Sequence, residues 1–441
     1  MPATLTAPIR PADQLAAAFA RQHQSSPAWL QPIRQAAWTR FLELGLPTTR
    51  DEDWRFTNLS PLTALSLAPA SQGSSANLRE VVFATLPGPC LVFVDGHYAP
   101  QLSEIGALPP GVRIGNLAAA PHADECALMA SLQSRASKQS AAFDSLNAAF
   151  FTDGALILVP DDVVLEAPIR LYNITTSPDA GSMINLRHLI QVGARSRATV
   201  IESCLGQTDA AYLNNSVTEL STGAGARVEH LKFQDEAAAG IHVSSLRLRL
   251  AQGSHAAHHS LALGARLARN NILARLEGEG ADCLLNGLYL AVGEQLMDHH
   301  MVMEHASPRC DSREFFNGIL DDQSRGVFHG RIHVHPGAVK TDAKQTNRNL
   351  LLSDEATANT KPQLEIYADD VKCTHGATVG QMNPEQLFYL QARGIDLDNA
   401  RRMLMHAFAG EIIERIACLP AREELDQLVW NRLEQNPHIA A

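Results

Sequence analysis

The stretch VGARSRATV, residues 192–200, sets the pattern of the fold, because a glycine turn leads directly into an alternating, β-rich run. Similar turns recur at Gly223 in TGAGARVEH, Gly253 in AQGSHAAHH and Gly280 in GEGADCLLNG, at intervals of 30, 30 and 27 residues. Gly337 in HPGAVKTDA follows 57 residues later, close to two further periods. A degenerate repeat of strands without intervening helices favours a β-solenoid. The alternative is a β-sandwich with irregular loops.

Both ends of the chain have a helical composition. Ala, Leu, Gln and Arg dominate from residue 12 to about residue 46, with a break at Ser25–Trp29. Towards the other end, Asn383 suits an N-cap, Pro384 the first helical position and Gln386 the third position of a capping box. Helical caps at both ends would cover the strand edges that a stack exposes.

Two more helices are predicted after a break at Gly394. Asp396 or Asp398 can cap the first, and the second is predicted from Arg422 to Glu434. The first should bury an apolar stripe at helical spacing, made of Met403, Ala407, Phe408, Ile412 and Ile416. The expected organisation is an N-terminal helical domain at 1–85, a β-rich core at 86–381 and a C-terminal helical domain at 382–441.

Size and charge exclude several classes of protein. A chain of 441 residues can bury a large core and form more than one domain. A net charge of −11, without a basic patch, argues against a nucleic-acid partner and a membrane-surface anchor. No apolar run approaches the ~20 residues that span a bilayer, and the N-terminus does not resemble a signal peptide. We therefore expect a cytoplasmic protein.

The chain lacks the usual motifs of nucleotide and acyl-transfer enzymes. It contains no G-x-x-x-x-G-K-[ST], and indeed no Gly-Lys dipeptide, so an ATP-driven step would have to come from a partner. No dinucleotide-binding G-x-G-x-x-G follows a strand, and no G-x-S-x-G nucleophile elbow occurs. The seven cysteines, with no C-x-x-C pair among them, are expected to be reduced thiols, mostly buried as small apolar side chains.

One segment combines a thiol and an imidazole. In EIYADDVKCTHGATVGQ, Glu365–Gln381, Cys373 and His375 are two residues apart, so on a strand they share a face at roughly 6.5–7 Å. They are either two metal ligands or a buried structural pair. A soft thiolate beside an imidazole suits iron or an iron–sulfur cluster. Two ligands cannot hold a cluster, so the others would come from elsewhere in this chain or from another chain.

Histidines are concentrated late in the chain. RIHVHPG places His333 and His335 on one strand face, and MDHHMVMEH places His299 and His305 on a face with two methionines. His300 and His329 complete the set. Ladders of stacked polar side chains are common in solenoids, and a metal site is the alternative interpretation.

Three segments resemble a known family. SRGVFHGRIHVHPGAVKTDAKQTNRNLLLSDEATANTKPQLEIYADDVKCTHGATVGQ, Ser324–Gln381, is similar to the SufB/SufD family of iron–sulfur cluster assembly proteins. DWRFTNLSPL at Asp53–Leu62 and FYLQARGIDLDNARRMLMHAFAGEIIERI at Phe388–Ile416 fit the same family. Within it, YADDVKCTHGATVG resembles the SufD branch. VFHGRIHVHPG stands where a cysteine-containing segment is expected in SufB, so the SufB-type ligand cysteine is absent.

This resemblance implies a right-handed parallel β-helix between helical end domains. It implies a scaffold subunit without catalytic residues of its own, which pairs with SufB and recruits the SufC ATPase through its C-terminal helices. His375 matches the family position implicated with the SufB cysteine at the shared interface, and Cys373 matches a neighbouring cysteine of less defined role. A nascent iron–sulfur cluster would be shared with SufB, a reduced flavin is associated with the whole complex, and the isolated chain could form a homodimer.

Two other functions compete with this interpretation. A purely structural partner of SufB would have the same fold without a cluster ligand. A β-helix carbohydrate-active enzyme would need paired carboxylates in a groove. Asp369 and Asp370 are adjacent, and neighbouring strand residues point to opposite faces, so they cannot act as that pair.

Overall fold

The computed structural model describes residues 11–73, 76–78, 81–119, 141–177 and 179–435. The α-helices in these ranges are α1 Pro11–Ser25, α2 Gln31–Leu44, α3 Ser60–Thr63, α4 Ala141–Phe150, α5 Pro384–Gln391, α6 Leu397–Ile413 and α7 Leu419–Gln435. Short 3-10 turns occupy Glu52–Trp54, Pro100–Leu102 and Leu117–Ala119. The strands are β1 Ala68–Pro69, β2 Cys90–Val94, β3 His97–Tyr98, β4 Arg113–Asn116, β5 Ala155–Val159, β6 Ile169–Thr175, β7 Ser182–Val192, β8 Arg197–Gly206, β9 Tyr212–Thr222, β10 Arg227–Asp235, β11 Ile241–Leu250, β12 His255–Ala262, β13 Leu267–Leu276, β14 Asp282–Ala291, β15 Leu296–His305, β16 Asp311–Leu320, β17 Arg325–Val334, β18 Asp342–Leu351, β19 Thr357–Ile366 and β20 Lys372–Gly380.

Successive strands alternate between two stacked sheets. Sheet A has the order β19-β17-β15-β13-β11-β9-β7-β5-β4, and sheet B has the order β20-β18-β16-β14-β12-β10-β8-β6-β2-β3. All pairs from β5 and β6 onward are parallel. The result is a parallel β-solenoid of about 7 turns, as the glycine repeat predicts, and the β-sandwich alternative is wrong.

The glycine turns occupy one corner of the solenoid, where the chain passes from sheet A to sheet B. At Gly253, Gly280 and Gly337 the φ angles are +61°, +69° and +85°, which is the left-handed region that favours glycine. Equivalent positions in sheet B are 27 to 31 residues apart along the chain. The spacing of the corner glycines along the chain therefore matches the number of residues in one turn of the solenoid.

Helices cover the outer faces of both sheets rather than the ends of the stack. On sheet A, the aromatic side chains of Trp38, Trp54 and Phe143 pack over strand residues such as Val243. On sheet B, α6 and α7 pack their apolar rows onto a strip made of Ile201, Leu231, Phe233, Leu261 and Leu288. The expectation of helical caps over both edges is therefore wrong for the C-terminal edge, because the apolar rows of these helices match the faces.

The helices themselves agree with the sequence in most details. The break between α1 and α2 lies where it was expected. Asn383 accepts a hydrogen bond from the Glu385 amide at 2.8 Å, and Asp396 accepts one from the Asn399 amide at 2.9 Å. α4 is an addition, since it interrupts the β-rich region and packs against α2, β7 and β9.

Two details of the C-terminal helices need correction. α7 begins at Leu419 rather than Arg422. In α6, Met403 and Ala407 are exposed, although they belong to the predicted apolar stripe. Ile412 and, just beyond the helix, Ile416 are buried as predicted, and Met405 and Ala409 complete the buried row. The phase differs because this row is the one that faces sheet B and α7.

The glycine in β14 tests the interior packing. A Cβ at Gly287 would lie 2.2 Å from Cε1 of Phe316, whose ring is fully buried between His299 and Phe328. We expect Gly287→Ala to lower the free energy of unfolding by about 1–3 kcal/mol through overpacking. Urea unfolding measures this. Gly376→Ala is the matched control, since its added Cβ meets no atom within 4 Å. Equal midpoints for the two variants would contradict the packing described here.

Candidate functional site

Both sheets end at the C-terminal side of the stack. Among the described residues, β20 pairs only with β18 and β19 pairs only with β17, so each leaves one backbone edge unpaired. Exposed apolar side chains lie on or beside these strands: Ile366, Tyr367 and Val379. An exposed edge with apolar side chains is a template for pairing with another chain.

Cys373 and His375 lie on this terminal strand and share a face, as the sequence predicts. In register they continue two interior columns, since Cys373 lies beside Ala343 and His375 beside Gln345. Cys373 is half-buried and packs against the interior core. His375 is exposed, because no further turn covers it. The imidazole therefore lies at the C-terminal end of the solenoid, where the interior between β19 and β20 opens to solvent. We call this end the open mouth.

The segment before this strand is a bend rather than a strand. Asp369 and Asp370 lie between β19 and β20, and Asp370 has a φ of +56° and an ion pair with Lys340. The strand geometry assumed for these two carboxylates is wrong, because the chain crosses here from sheet A to sheet B. They lie in an exposed turn, so the structure offers no support for a carbohydrate-active pair at this position.

The thiols differ in accessibility and in charge state. Burial raises the pKa of Cys373, and it raises the pKa of the fully buried Cys204 and Cys283 well above the usual thiol value. Cys373 is therefore a protonated thiol near neutral pH, and a bound metal would have to displace its proton. The described cysteines are free thiols, and Cys126 lies outside the described residues.

A column of polar side chains, formed by His375, Gln345 and Glu314, runs inward from the open mouth. Gln345 lies directly beneath His375, and its Nε2 donates to Oε2 of Glu314 at 2.5 Å. Glu314 is fully buried, and burial raises its pKa to about 7. Within the described ranges, the other carboxylate oxygen of Glu314 has no hydrogen-bond partner.

Deeper in the solenoid, Cys204, Glu236 and His242 bring possible metal-ligand atoms within 4.8 Å of one another. Most of their polar atoms are already engaged, although Oε2 of Glu236 has no hydrogen-bond partner among the described residues. His242 Nδ1 contacts Glu236 at 2.8 Å and its Nε2 contacts the ammonium of Lys232 at 2.9 Å, while Cys204 is protonated. A cation already occupies this network, which is therefore structural.

Four of the six late histidines fall into two environments, and the other two, His333 and His335, are half-buried with their ring centroids 4.5 Å apart. His299 and His305 point into the solenoid and bond to the hydroxyls of Ser260 and Ser312. This is the stacked, structural arrangement. His300 and His329 instead lie together on the outer face of sheet A, with Asp53 beside them.

The sequence named His300 and His329 among the histidines of a possible metal site, but neither complete three-residue group was predicted. Their members come from different turns, and Asp53 comes from a segment almost 250 residues away in the chain. The available signal was the repeated placement of polar residues at buried strand positions. Such repeated polar residues indicate that polar side chains are stacked in successive turns, but they do not indicate which distant segment of the chain packs over them.

Comparisons with known proteins identify the family of this chain. Residues 173–408 match the family described as SUF system FeS cluster assembly, SufBD core domain, and residues 13–171 match the SufBD protein N-terminal region. The iron–sulfur cluster assembly protein SufD of Escherichia coli (strain K12) is 33% identical over 407 residues, which cover 92% of each chain. The chain belongs to the SufB/SufD family.

Other members of the SufB/SufD family are similar over nearly the whole length. An iron–sulfur cluster assembly SufBD family protein of Synechocystis is 33% identical over 411 residues, or 90% of this chain and 89% of that protein. SufD of Bacillus subtilis (strain 168) is 25% identical over 436 residues, or 94% and 96%. The resemblance found in the three sequence segments is thus confirmed. In the described part of the chain, no helix has the length and apolar character required to span a membrane.

The buried carboxyl beneath the open mouth makes stability depend on pH. Because its pKa rises from 4.5 to about 7 on folding, Glu314 binds more protons in the folded state between these values. Stability should therefore fall as pH rises through this window. Glu314→Gln removes the ionisation, so at pH 8 it should raise the free energy of unfolding by up to about 3 kcal/mol, with little effect at pH 4.

Urea unfolding at both pH values measures this effect. Glu355→Gln, at an exposed position, is the control and should follow the wild type at both. A Glu314→Gln variant that is no more stable than wild type at pH 8 would show that the carboxyl is solvated.

Proposed function

We propose that this chain is a non-catalytic scaffold subunit of a SufBCD-type iron–sulfur cluster assembly complex. It pairs with a SufB partner through the open end of its solenoid and contributes His375, with Cys373 as a secondary group, to a cluster-building site that the two chains share. Family membership supports the assembly role, and the E. coli and B. subtilis relatives carry that role in their names. The observation that carries the proposal is an exposed imidazole on a terminal strand that has one unpaired edge in the described structure.

The pairing surface follows from the unpaired edges. A second solenoid of the same family could continue both sheets by adding strands beside β19 and β20. Ile366, Tyr367 and Val379 would then lose their exposure. Because an isologous pair would satisfy the same edges, the isolated chain can form a homodimer through them.

The ligand set is incomplete within one chain. Cluster sites usually use four ligands, and among the described residues neither Cys373 nor His375 belongs to a group of three possible ligands. The remaining ligands would come from the partner, including a cysteine thiolate. His375 is the stronger candidate because it reaches solvent, whereas Cys373 packs against the core and holds its proton.

The ATPase would bind at the C-terminal helices, within residues 382–441. None of the residues of helix α5 is buried, and its Phe388 and Tyr389 side chains are 73% and 56% exposed. Such adjacent exposed aromatics are typical of a protein-binding surface. By contrast, α6 and α7 bury their apolar rows against sheet B, so they support α5 and also complete the fold.

Replacement of the terminal imidazole tests the shared site. His375→Ala should leave the complex with SufB and SufC assembled but lower its iron and sulfide content roughly 10-fold or more, the scale on which metal-site groups act. Cys373→Ser should cause a smaller loss. Iron and sulfide analysis of the co-expressed, anaerobically purified complex measures both.

Thr374→Ala is the matched control, because Thr374 lies on the same strand and is also exposed. It should retain wild-type cluster content. Normal cluster content in the His375→Ala complex would favour the purely structural alternative. Failure of that variant to pair with SufB would make His375 a structural interface residue.

Substitutions on α5 test the ATPase surface without disturbing the core. The double variant Phe388→Ser and Tyr389→Ser should weaken binding of SufC at least ~10-fold, since hot-spot aromatics contribute most of the binding energy. Deleting residues 383–441 would be less clear, because it would also uncover the apolar outer face of sheet B.

Titration calorimetry with purified SufC measures this affinity. Leu419→Ser, at an exposed position in the first turn of α7, is the control and should bind SufC normally. Unchanged affinity in the double variant would place the ATPase on another surface.

A further inference from the structure

A separate group of possible metal ligands lies on the outer face of sheet A. His300 in β15 and His329 in β17 are neighbours in the parallel register, and Asp53 lies over them in the turn Glu52–Trp54. One ligand atom from each lies within 4.8 Å of the other two. The three side chains line a small pocket, which also includes Thr57.

The segment that carries Asp53 is firmly attached to the sheet. Arg269 donates to the carbonyl oxygen of Asp53 at 2.8 Å, and the Trp54 ring stacks on the Arg269 guanidinium at 3.8 Å. Thr57 donates to Asp298 at 2.5 Å, and both residues are buried. Contacts on each side therefore hold the carboxylate over the two imidazoles.

The proton positions leave a lone pair directed into the group. His329 Nε2 lies 2.6 Å from Oε1 of Gln363, which can only accept, so Nε2 carries the proton and Nδ1 carries the lone pair. That Nδ1 is 2.9 Å from Nε2 of His300 and 3.8 Å from Oδ1 of Asp53. An outer partner that fixes the tautomer in this way is usual for metal-binding histidines.

His300 supplies the second imidazole. It is 3% exposed, and its Nδ1 has no hydrogen-bond partner among the residues that the structure describes. Burial lowers the pKa of His300 well below the usual value and also lowers that of His329, so both rings are neutral near pH 7. Moving the His300 proton from Nε2 to Nδ1 would free a second lone pair without releasing a proton.

We propose that Asp53, His300 and His329 form a binding site for a divalent first-row transition metal ion. Two imidazoles and one carboxylate are a ligand set for Fe²⁺ and Zn²⁺. Ligand bonds of about 2.0–2.2 Å to a shared ion require ligand atoms roughly 3.3 Å apart. The observed 2.9 and 3.8 Å lie on either side of that spacing. Asp53 is partly exposed, so water can complete the coordination.

Two positively charged side chains near the site repel a bound metal ion and therefore lower the affinity of the site for it. Arg331 Nη2 lies 3.6 Å from Oδ1 of Asp53, and Lys361 pairs with Glu52 at 2.6 Å. A bound ion would replace Arg331 as the partner of Asp53. Neutralising Arg331 should therefore strengthen metal binding, an effect that a purely structural role of the group would not produce.

Titration of the metal-free full-length chain with Co²⁺ tests the site through the visible absorption of the bound ion. The wild type should bind one equivalent at this group. Asp53→Asn and His329→Gln should weaken binding more than ~100-fold, and Gln363→Ala should weaken it ~10–100-fold as an outer partner. Arg331→Gln should bind more tightly than wild type. His333→Gln, on the same strand as His329, is the control and should bind as the wild type does.

Several results would overturn the site. They are an absence of saturable Co²⁺ binding to the wild type, unchanged affinity in Asp53→Asn, or loss of binding in His333→Gln, which would place the ion at the His333–His335 pair. Thermal unfolding of each metal-free variant verifies its fold. If His329→Gln unfolds, Asp53→Asn decides, because Asp53 lies at the surface.

Discussion

The in-register parallel ladder is the constraint on which the rest of the structure depends. From β7 to β18 each strand pairs on both sides, so each side chain lies directly over its counterpart one turn earlier. Volume is therefore shared between neighbouring turns. Gly287 leaves room for Phe316 and Gly318 leaves room for Tyr289, since a Cβ at either glycine would lie about 2 Å from the ring. The size of a side chain in this core is therefore limited by the residues stacked above and below it as much as by its own strand.

The same rule explains how the solenoid holds charge in its interior. Lys232 in β10 contacts His242 and Asn270 in β11 and β13 of the opposite sheet, and Glu236, just after β10, is hydrogen-bonded to His242 and to Asn214 in β9. A buried charge without a partner is costly, so a slip of one turn would be strongly unfavourable. Apolar columns alone would tolerate such a slip. The polar columns therefore contribute more to the register than to the total stability.

Sequence reasoning succeeded where the ladder repeats and failed where distant segments meet. The glycine corners predicted the solenoid because each one closes a turn of nearly constant length. Cys373 and His375 were placed on one face because strand periodicity is local. The phase of α6, the existence of α4 and the approach of Asp53 to His329 could not be obtained in this way. Each of these features depends on which outer surface of the solenoid a segment covers. Strands that are buried on both faces show little alternation of apolar and polar residues, so their sequences do not indicate which segment covers them.

The two ends of the stack are finished differently, and the proposed shared site lies at the C-terminal end. At the N-terminal end, β3 and β4 pair antiparallel with β2 and β5, so the first parallel strands do not present a long free edge. At the C-terminal end, β19 and β20 are ten and nine residues long, and no further strand of the described residues pairs with their outer edges. Soluble proteins usually blunt edges of this kind. A row of interior side chains that ends at this edge exposes its last member. A second chain that pairs with the edge can therefore complete a site around that side chain. His375 holds that position.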